Sequence, residues 1–223
     1  MNILIIAAHP DDEILGCGGL ISKYVREGHS VYVHIVTDGS SSQYEGNNEI
    51  AKQKENEITE VMKMIGVKEF FRGNLPDMKL DSISHIEVNK ELGRIIDKVL
   101  PDIVFTHHKG DVNKDHKIIY ESTLVMARPL LGNTIKELYS YETLSSSEWG
   151  ELEELFTPNT YIELNKNDIE NKCKAMKLYK TEIREYPHPR SIEAIKNLSK
   201  YRGNQIEVKY AEAFKLIRKV DKI

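Results

Sequence analysis

Two short segments of the chain carry side chains that could bind a metal ion. The first, His9-Pro10-Asp11-Asp12-Glu13, directly follows an apolar run at residues 3–7, and the second is residues 111–116, DVNKDH. Buried charged groups must be paired or must hold a metal. Two imidazoles and one carboxylate suit zinc or another divalent first-row metal, and three protein ligands leave one coordination position for water, as in catalytic sites. The candidate ligands are His9, Asp12 and His116.

Two further carboxylates lie next to these candidate ligands. Asp11 would lie beside the metal without binding it, where a carboxylate can take the proton of a metal-bound water. Asp115 could be a carboxylate that supports a metal ligand from behind, or it could help to orient a ligand or an acid. The alternative for the first segment is a turn followed by a helix N-terminus, where Asp and Glu are favoured by the helix dipole. The second segment shifts the balance to a metal site, because both segments follow buried strands in one alternating pattern.

The glycines Gly16, Gly18 and Gly19 suggest a dinucleotide-binding turn, with Asp38 as its ribose-binding acid. That fingerprint needs its glycines between the strand and the helix. This chain has acidic residues there, and they would repel a pyrophosphate. Close packing at the site is therefore the favoured role of these glycines.

Strand and helix patterns alternate along the chain, with polar loops after Gly39 and at residues 72–81. Strands are predicted at residues 2–8, 30–37, 67–71, 102–106, 137–141 and 160–164, and helices at 13–27, 48–65, 82–99, 114–127, 166–180 and 205–219. The alternation predicts an α/β protein with a Rossmann-like three-layer α/β/α architecture and a mostly parallel sheet. One domain would span residues 1–223, and its part from about residue 129 would contribute to the substrate pocket.

The predicted topology gathers the polar clusters at one edge of the sheet. In open parallel sheets, ligands bind beyond the carboxyl ends of the strands. Residues 9–12, Asp38, the 72–81 loop and residues 107–116 each follow a predicted strand. They are distant in sequence, and we expect them to be close in space.

Composition narrows the class of protein. The chain has 223 residues and a formal net charge of -4, with a pI of about 6.1 and no basic stripe, which argues against nucleic acid as a partner. Two cysteines, Cys17 and Cys173, are too few for a disulfide framework and indicate a reducing compartment. The sequence lacks a signal-peptide pattern and an apolar stretch long enough to span a bilayer. A cytoplasmic protein is expected.

The segments AAHPDDE and GDVNKDH together resemble the PIG-L / LmbE-like family of zinc-dependent N-acetylglucosaminyl deacetylases, in a bacterial branch. The TDG turn at residues 37–39, the LPD loop at 75–77 and the C-terminal PHPRS…YRG…YAEAF pattern are similar to that branch as well. The resemblance implies that His9, Asp12 and His116 hold zinc and that Asp11 is the general base. It also implies an N-acetylglucosamine-type substrate, free or as a glycoconjugate, and a homo-oligomer such as a trimer or hexamer.

One position departs from the family pattern. Many members carry a histidine three residues before the last ligand, where this chain has Asn113. Another residue must then donate a proton or stabilise the oxyanion. His188 in the PHPRS segment is the leading candidate, although two prolines could simply hold it in a surface turn, and His107 and His108 are the alternatives. The candidate substrate contacts are Asp38, Arg72, Asp77, Asn113 and His108.

Three other functions compete with sugar deacetylation. A metal-dependent amidohydrolase on the same scaffold could act on a non-sugar N-acyl metabolite. A nucleotide-binding module is disfavoured by the acidic turn after the first strand. A structural metal site is disfavoured because it would have only three protein ligands.

Overall fold

A seven-stranded sheet organises the protein, as seen in a computed structural model that describes residues 1–39 and 48–221. The predicted polar loop after Gly39 lies outside the described residues. The strand order is β3-β2-β1-β4-β5-β7-β6. The strands are β1 (Asn2–Ala7), β2 (Ser30–Thr37), β3 (Glu69–Leu75), β4 (Ile103–His107), β5 (Glu137–Tyr141), β6 (Thr160–Glu163) and β7 (Ala211–Lys219). The helices are α1 (Asp12–Arg26), α2 (Asn48–Ile65), α3 (His85–Val99), α4 (Lys114–Met126), α5 (Lys166–Leu178) and α6 (Ile192–Asn204).

The sheet is mostly parallel, which confirms the predicted α/β class. Strands β1 to β5 pair in parallel with one another, whereas β7 runs antiparallel to both of its neighbours, β5 and β6. Strand β1 is buried on both faces because its alternate side chains enter two cores. Ile3 and Ile5 pack in a core with residues of α1, α2, α5 and α6, while Leu4 and Ile6 pack in a second core with residues of α3 and α4.

The prediction of a helix at residues 205–219 was wrong. Helix α6 ends at Asn204, and the chain returns as strand β7. A β-carbon at Gly203 would lie 2.6 Å from the carbonyl oxygen of Val208, so the chain turns back tightly against the end of this helix. The segment AEAFKLIRK is rich in good helix formers, but pairing with two strands overrides local propensity.

Strand β3 is longer than predicted. It ends at Leu75, so Arg72 lies within the strand and not in a loop. No helix in the described ranges, 1–39 and 48–221, is long and apolar enough to cross a membrane.

Helix α1 approaches the sheet very closely at Gly16. A β-carbon there would lie only 2.2 Å from Cδ2 of the Tyr141 ring, far closer than two non-bonded carbon atoms can approach. This agrees with the interpretation of the glycines as packing residues. The close approach holds the first turn of α1, with Asp12, against the carboxyl edge of the sheet.

Candidate metal and catalytic site

Three donor atoms from two strand ends meet at the carboxyl edge of the sheet. Oδ2 of Asp12 lies 3.3 Å from Nδ1 of His9 and 3.2 Å from Nε2 of His116, and these two nitrogens are 3.4 Å apart. Donors about 2.0–2.1 Å from a zinc ion are separated by about 3.3–3.4 Å in a tetrahedron. The three atoms therefore have the spacing of one triangular face of a tetrahedral site, and they fit a small divalent cation.

Each histidine is backed by a carboxylate on its other ring nitrogen. Nε2 of His9 lies 3.1 Å from Asp115 and 3.3 Å from Asp77, and Nδ1 of His116 lies 3.1 Å from Asp111. A ring N–H that donates to a carboxylate leaves the opposite nitrogen as an acceptor, which is how metal-ligating histidines are usually oriented. The carboxylates thus aim the two lone pairs at the same point.

Asp111 was not singled out from the sequence. It is fully buried, accepts hydrogen bonds from the hydroxyls of Ser146 and Ser147 and accepts one from the backbone N–H of Asn113 at 2.8 Å. Burial by itself raises the pKa of Asp111, but His116 and the hydrogen bond from Ser146 outweigh it and lower this pKa to about 2. Asp111 is therefore an ionised side chain whose hydrogen bonds connect the β4–α4 loop to the segment after β5.

The electrostatics of the cluster favour an added positive charge. Burial lowers the pKa of both histidines, but the surrounding carboxylates outweigh it, raising the pKa of His9 to about 10 and that of His116 to about 9. Without another cation, the two imidazoles themselves would supply positive charge to the site. A divalent ion would replace their protons and balance the same carboxylates.

Asp11 occupies a different position from the three donor atoms. It is the N-cap of α1 and has φ 97°, in the left-handed region that non-glycine residues rarely adopt. Such strain persists only where the surrounding structure enforces it, and it clusters at functional sites. Burial, together with the nearby charges of Asp12 and Glu182, raises the pKa of Asp11 well above its usual range, and Arg190 opposes this shift.

Asp11 is also held by a series of ion pairs that could not be identified from the sequence. Nη1 of Arg190 lies 3.3 Å from Asp11 and 2.8 Å from Glu182. Lys54 also pairs with Glu182 at 2.8 Å and donates to the carbonyl of Gly39 at 2.8 Å. The PHPRS motif, which was considered for His188, thus contributes Arg190 directly to the site.

These groups line a cleft of about 180 Å³. Its walls include the predicted substrate contacts Asp77 and Asn113. The chain beyond residue 129 contributes residues 143–146, Glu182 and Arg190. The cleft lining within the described ranges does not include Asp38 or Arg72. Arg72 instead donates to the carbonyl of Asp38 and pairs with Glu55, at 3.1 Å in both contacts.

The three remaining histidine candidates lie around the cleft and not among its described lining residues. His107 is buried behind the cluster, where its ring stacks on His116 with centroids 3.8 Å apart. His108 donates from Nε2 to the carbonyl of Glu154 at 2.7 Å and packs edge-on against Phe156. His188 is half-buried, and its Nδ1 accepts the backbone N–H of Arg190 at 3.0 Å. That hydrogen bond leaves the proton of the neutral ring on Nε2.

The chain was compared with known proteins. A family model described as GlcNAc-PI de-N-acetylase (PIG-L) matches residues 4–127. The uncharacterized deacetylase YaiS of Escherichia coli (strain K12) is 27% identical over 188 residues, covering 81% of this chain and 91% of YaiS. Diacetylchitobiose deacetylase of Thermococcus kodakarensis is 33% identical over 106 residues, covering 46% of this chain and 39% of the relative.

The fold was also compared with solved structures. The N,N'-diacetylchitobiose deacetylase from Pyrococcus horikoshii, solved in complex with an inhibitor, superposes with a TM-score of 0.76 at 25% identity. The match covers 97% of this chain and 83% of that protein. The similarity therefore includes the C-terminal strands and helices that lie beyond the matched family region.

Proposed function

Because the chain belongs to the PIG-L family, we propose that it is a metal-dependent N-deacetylase acting on an N-acetylglucosamine-type amino sugar or its conjugate. The observation that carries the proposal is the spacing of the three donor atoms beside Asp11 in one cleft. The relatives named as diacetylchitobiose deacetylases support the substrate class.

His9, Asp12 and His116 would hold the metal. Zinc is the proposed ion, since two imidazoles and one carboxylate are a common zinc ligand set. When bound, the ion would supply Lewis acidity and lower the pKa of water in the cleft. The carboxylates behind His9 and His116 keep both rings in the orientation needed for binding.

Asp11 is the proposed general base. It would accept a proton from the water that attacks the amide carbon, and its contact with Arg190 would keep the carboxylate facing the cleft. The amide C–N bond then breaks, the amine leaves with a proton and acetate is released. Burial and the neighbouring carboxylates raise the pKa of Asp11, which strengthens it as a proton acceptor.

His188 is the proposed donor to the oxyanion. The backbone N–H of Arg190 fixes Nδ1 of His188 as an acceptor, so Nε2 carries the proton that a donor needs. His188→Ala would lower kcat by about 10²–10³ if this role is correct. An unchanged kcat would move the role to His107 or His108.

The decisive experiment combines metal content with a substrate panel. The purified protein is stripped with a chelator, reloaded with zinc and assayed for acetate release from N-acetylglucosamine, its conjugates and non-sugar N-acetyl compounds. Activity that survives complete metal removal would refute the proposal. Release only from the non-sugar compounds would instead establish an amidohydrolase of N-acyl metabolites.

A variant pair tests the base. Asp11→Asn should retain zinc and lose about 10²–10⁴ in kcat. Asp81→Asn is the matched control, because it makes the same change at an exposed ion pair with Lys114. Near wild-type turnover of Asp11→Asn would exclude Asp11 as the base.

A further inference from the structure

A second pocket shares a wall with the catalytic cleft. It has a volume of about 320 Å³ and is lined in part by Glu142, Phe156, Leu198 and Arg202. Thr143 and Leu144 line both the cleft and this pocket. A molecule held over the donor cluster could therefore extend past this short segment into the second pocket.

The polar wall of the second pocket is an ion pair that is already formed. Arg202 donates from Nε and Nη2 to the two carboxylate oxygens of Glu142, at 2.8 and 2.6 Å, and from Nη1 to Gln205 at 3.0 Å. These bonds engage three of the five N–H groups of a guanidinium, and each carboxylate oxygen has further lone pairs. The pair thus offers hydrogen-bond donors and acceptors side by side. Because both side chains are already fixed, a ligand would bind without the entropy cost of ordering them.

The apolar wall lies beside that pair. The guanidinium of Arg202 lies over the ring of Phe156 at 5.7 Å from its centroid. Leu198 is one helical turn before Arg202 on α6, so it faces the same space. Leu144 extends the apolar surface to the boundary with the catalytic cleft.

We propose that this second pocket binds the sugar ring that follows the N-acetylated sugar, so that the substrate is a disaccharide or longer glycan. A pyranose has C–H groups on its faces and hydroxyls around its edge. It therefore needs an apolar surface and hydrogen-bonding groups of both kinds, which Phe156, Leu198 and the Glu142–Arg202 pair supply. The inference rests on the proposed function for the identity of the first sugar.

The test fills the pocket without touching the donor cluster. Leu198→Trp places a larger side chain in the second pocket, and Asn197→Trp is the matched control on the exposed face of the same helix. Phe156→Ala removes the aromatic wall without adding bulk. Because Leu198 and Phe156 are only partly buried, all three variants should fold.

Two measurements separate this inference from the proposed function. Calorimetry compares glucosamine with chitobiose, which have no acetyl group to lose, and acetate release compares N-acetylglucosamine with N,N'-diacetylchitobiose on the zinc-loaded protein. We expect the disaccharide to bind wild type about tenfold more tightly than the monosaccharide, which corresponds to about 1.4 kcal/mol. Leu198→Trp and Phe156→Ala should abolish that gain, whereas Asn197→Trp should keep it and leave monosaccharide turnover at the wild-type level.

Each failure has its own signature. If neither acetylated sugar releases acetate while chitobiose keeps its advantage, the proposed function is wrong and the second sugar site stands. If chitobiose binds wild type no more tightly than glucosamine, or if Leu198→Trp keeps the gain, the second sugar site is refuted. An octyl glucosaminide that gains as much affinity as chitobiose would assign the pocket to an apolar aglycone and also refute a sugar site.

Discussion

Replacing Asp111 with asparagine should weaken zinc binding although none of the three proposed ligands is changed. Oδ2 of Asp111 lies 3.1 Å from Nδ1 of His116 and also accepts a hydrogen bond from Ser147. Asparagine has nearly the same shape and can still accept hydrogen bonds through its amide oxygen. The substitution therefore removes mainly the charge behind His116.

The size of the effect follows from that single contact. A hydrogen bond to a charged group contributes about 1.5–3 kcal/mol, against about 0.5–1.5 kcal/mol for a neutral one. Loss of a carboxylate partner behind a metal-ligating histidine usually costs about 10–100-fold in metal affinity. We therefore expect the dissociation constant for zinc to rise by about that factor, which is about 1.4–2.7 kcal/mol.

Two assays measure this change. Competition with a chromophoric chelator gives the zinc dissociation constant directly. Urea unfolding with and without zinc gives the linked stabilisation, which is about 2.7 kcal/mol at a free zinc concentration 100 times the dissociation constant. For a 100-fold weaker variant at the same zinc concentration, it falls to about 0.4 kcal/mol.

Asp81→Asn is the control. It makes the same chemical change in an ion pair with Lys114, the first residue of α4. The side chain of Asp81 is 45% exposed, and exposed ion pairs contribute about 0–1 kcal/mol to stability. Wild-type zinc affinity in Asp111→Asn, or an equal loss in Asp81→Asn, would refute the role given to Asp111.

Three further predictions concern the fold around the site, and urea unfolding measures each of them. Glu212→Gln should lower the free energy of unfolding by about 3–5 kcal/mol, because Lys172 then stays buried without its 2.6 Å charge partner; a loss below about 1 kcal/mol would contradict this. Gly16→Ala should cost about 1–3 kcal/mol, since its new methyl group overlaps the ring of Tyr141; wild-type stability would show that α1 can shift freely. Burial lowers the pKa of His34, so the native state binds a proton less readily than the unfolded chain, and the stability that His34 contributes is lost as pH falls below about 6.5. His34→Gln should therefore lose less stability than wild type between about pH 7.5 and about pH 5.5, and equal losses would exclude His34 as the source.

The edge at which the site forms could be predicted from local patterns alone. Apolar runs located β1 and β4, and the polar residues after each run fall at the carboxyl edge because parallel strands share that direction. This geometric rule brings His9 and Asp12 close to His116 without any knowledge of side-chain packing. Their ligand roles remain predictions.

The contacts around that cluster could not be predicted in the same way. Arg190 reaches Asp11 from 179 positions along the chain, and Ser146 reaches Asp111 from 35 positions away. Such pairs depend on how loops cover the sheet, which has no periodicity to read. The helix predicted over residues 205–219 was wrong for a related reason. The composition of residues 211–219 favours a helix, and only pairing with the neighbouring strands makes this segment a strand.

The place of β7 in the sheet has a consequence for the order of assembly during synthesis. In the described sheet, β6 pairs only with β7, which lies between it and β5. When β6 emerges from the ribosome, its sheet neighbour is still about 50 residues from being made, at about 5–20 residues per second. Glu212 of β7 also accepts the backbone N–H groups of Gly19 and Leu20 in α1. Until β7 is made, β6 therefore has no partner strand for its backbone groups, and α1 lacks its contacts with Glu212.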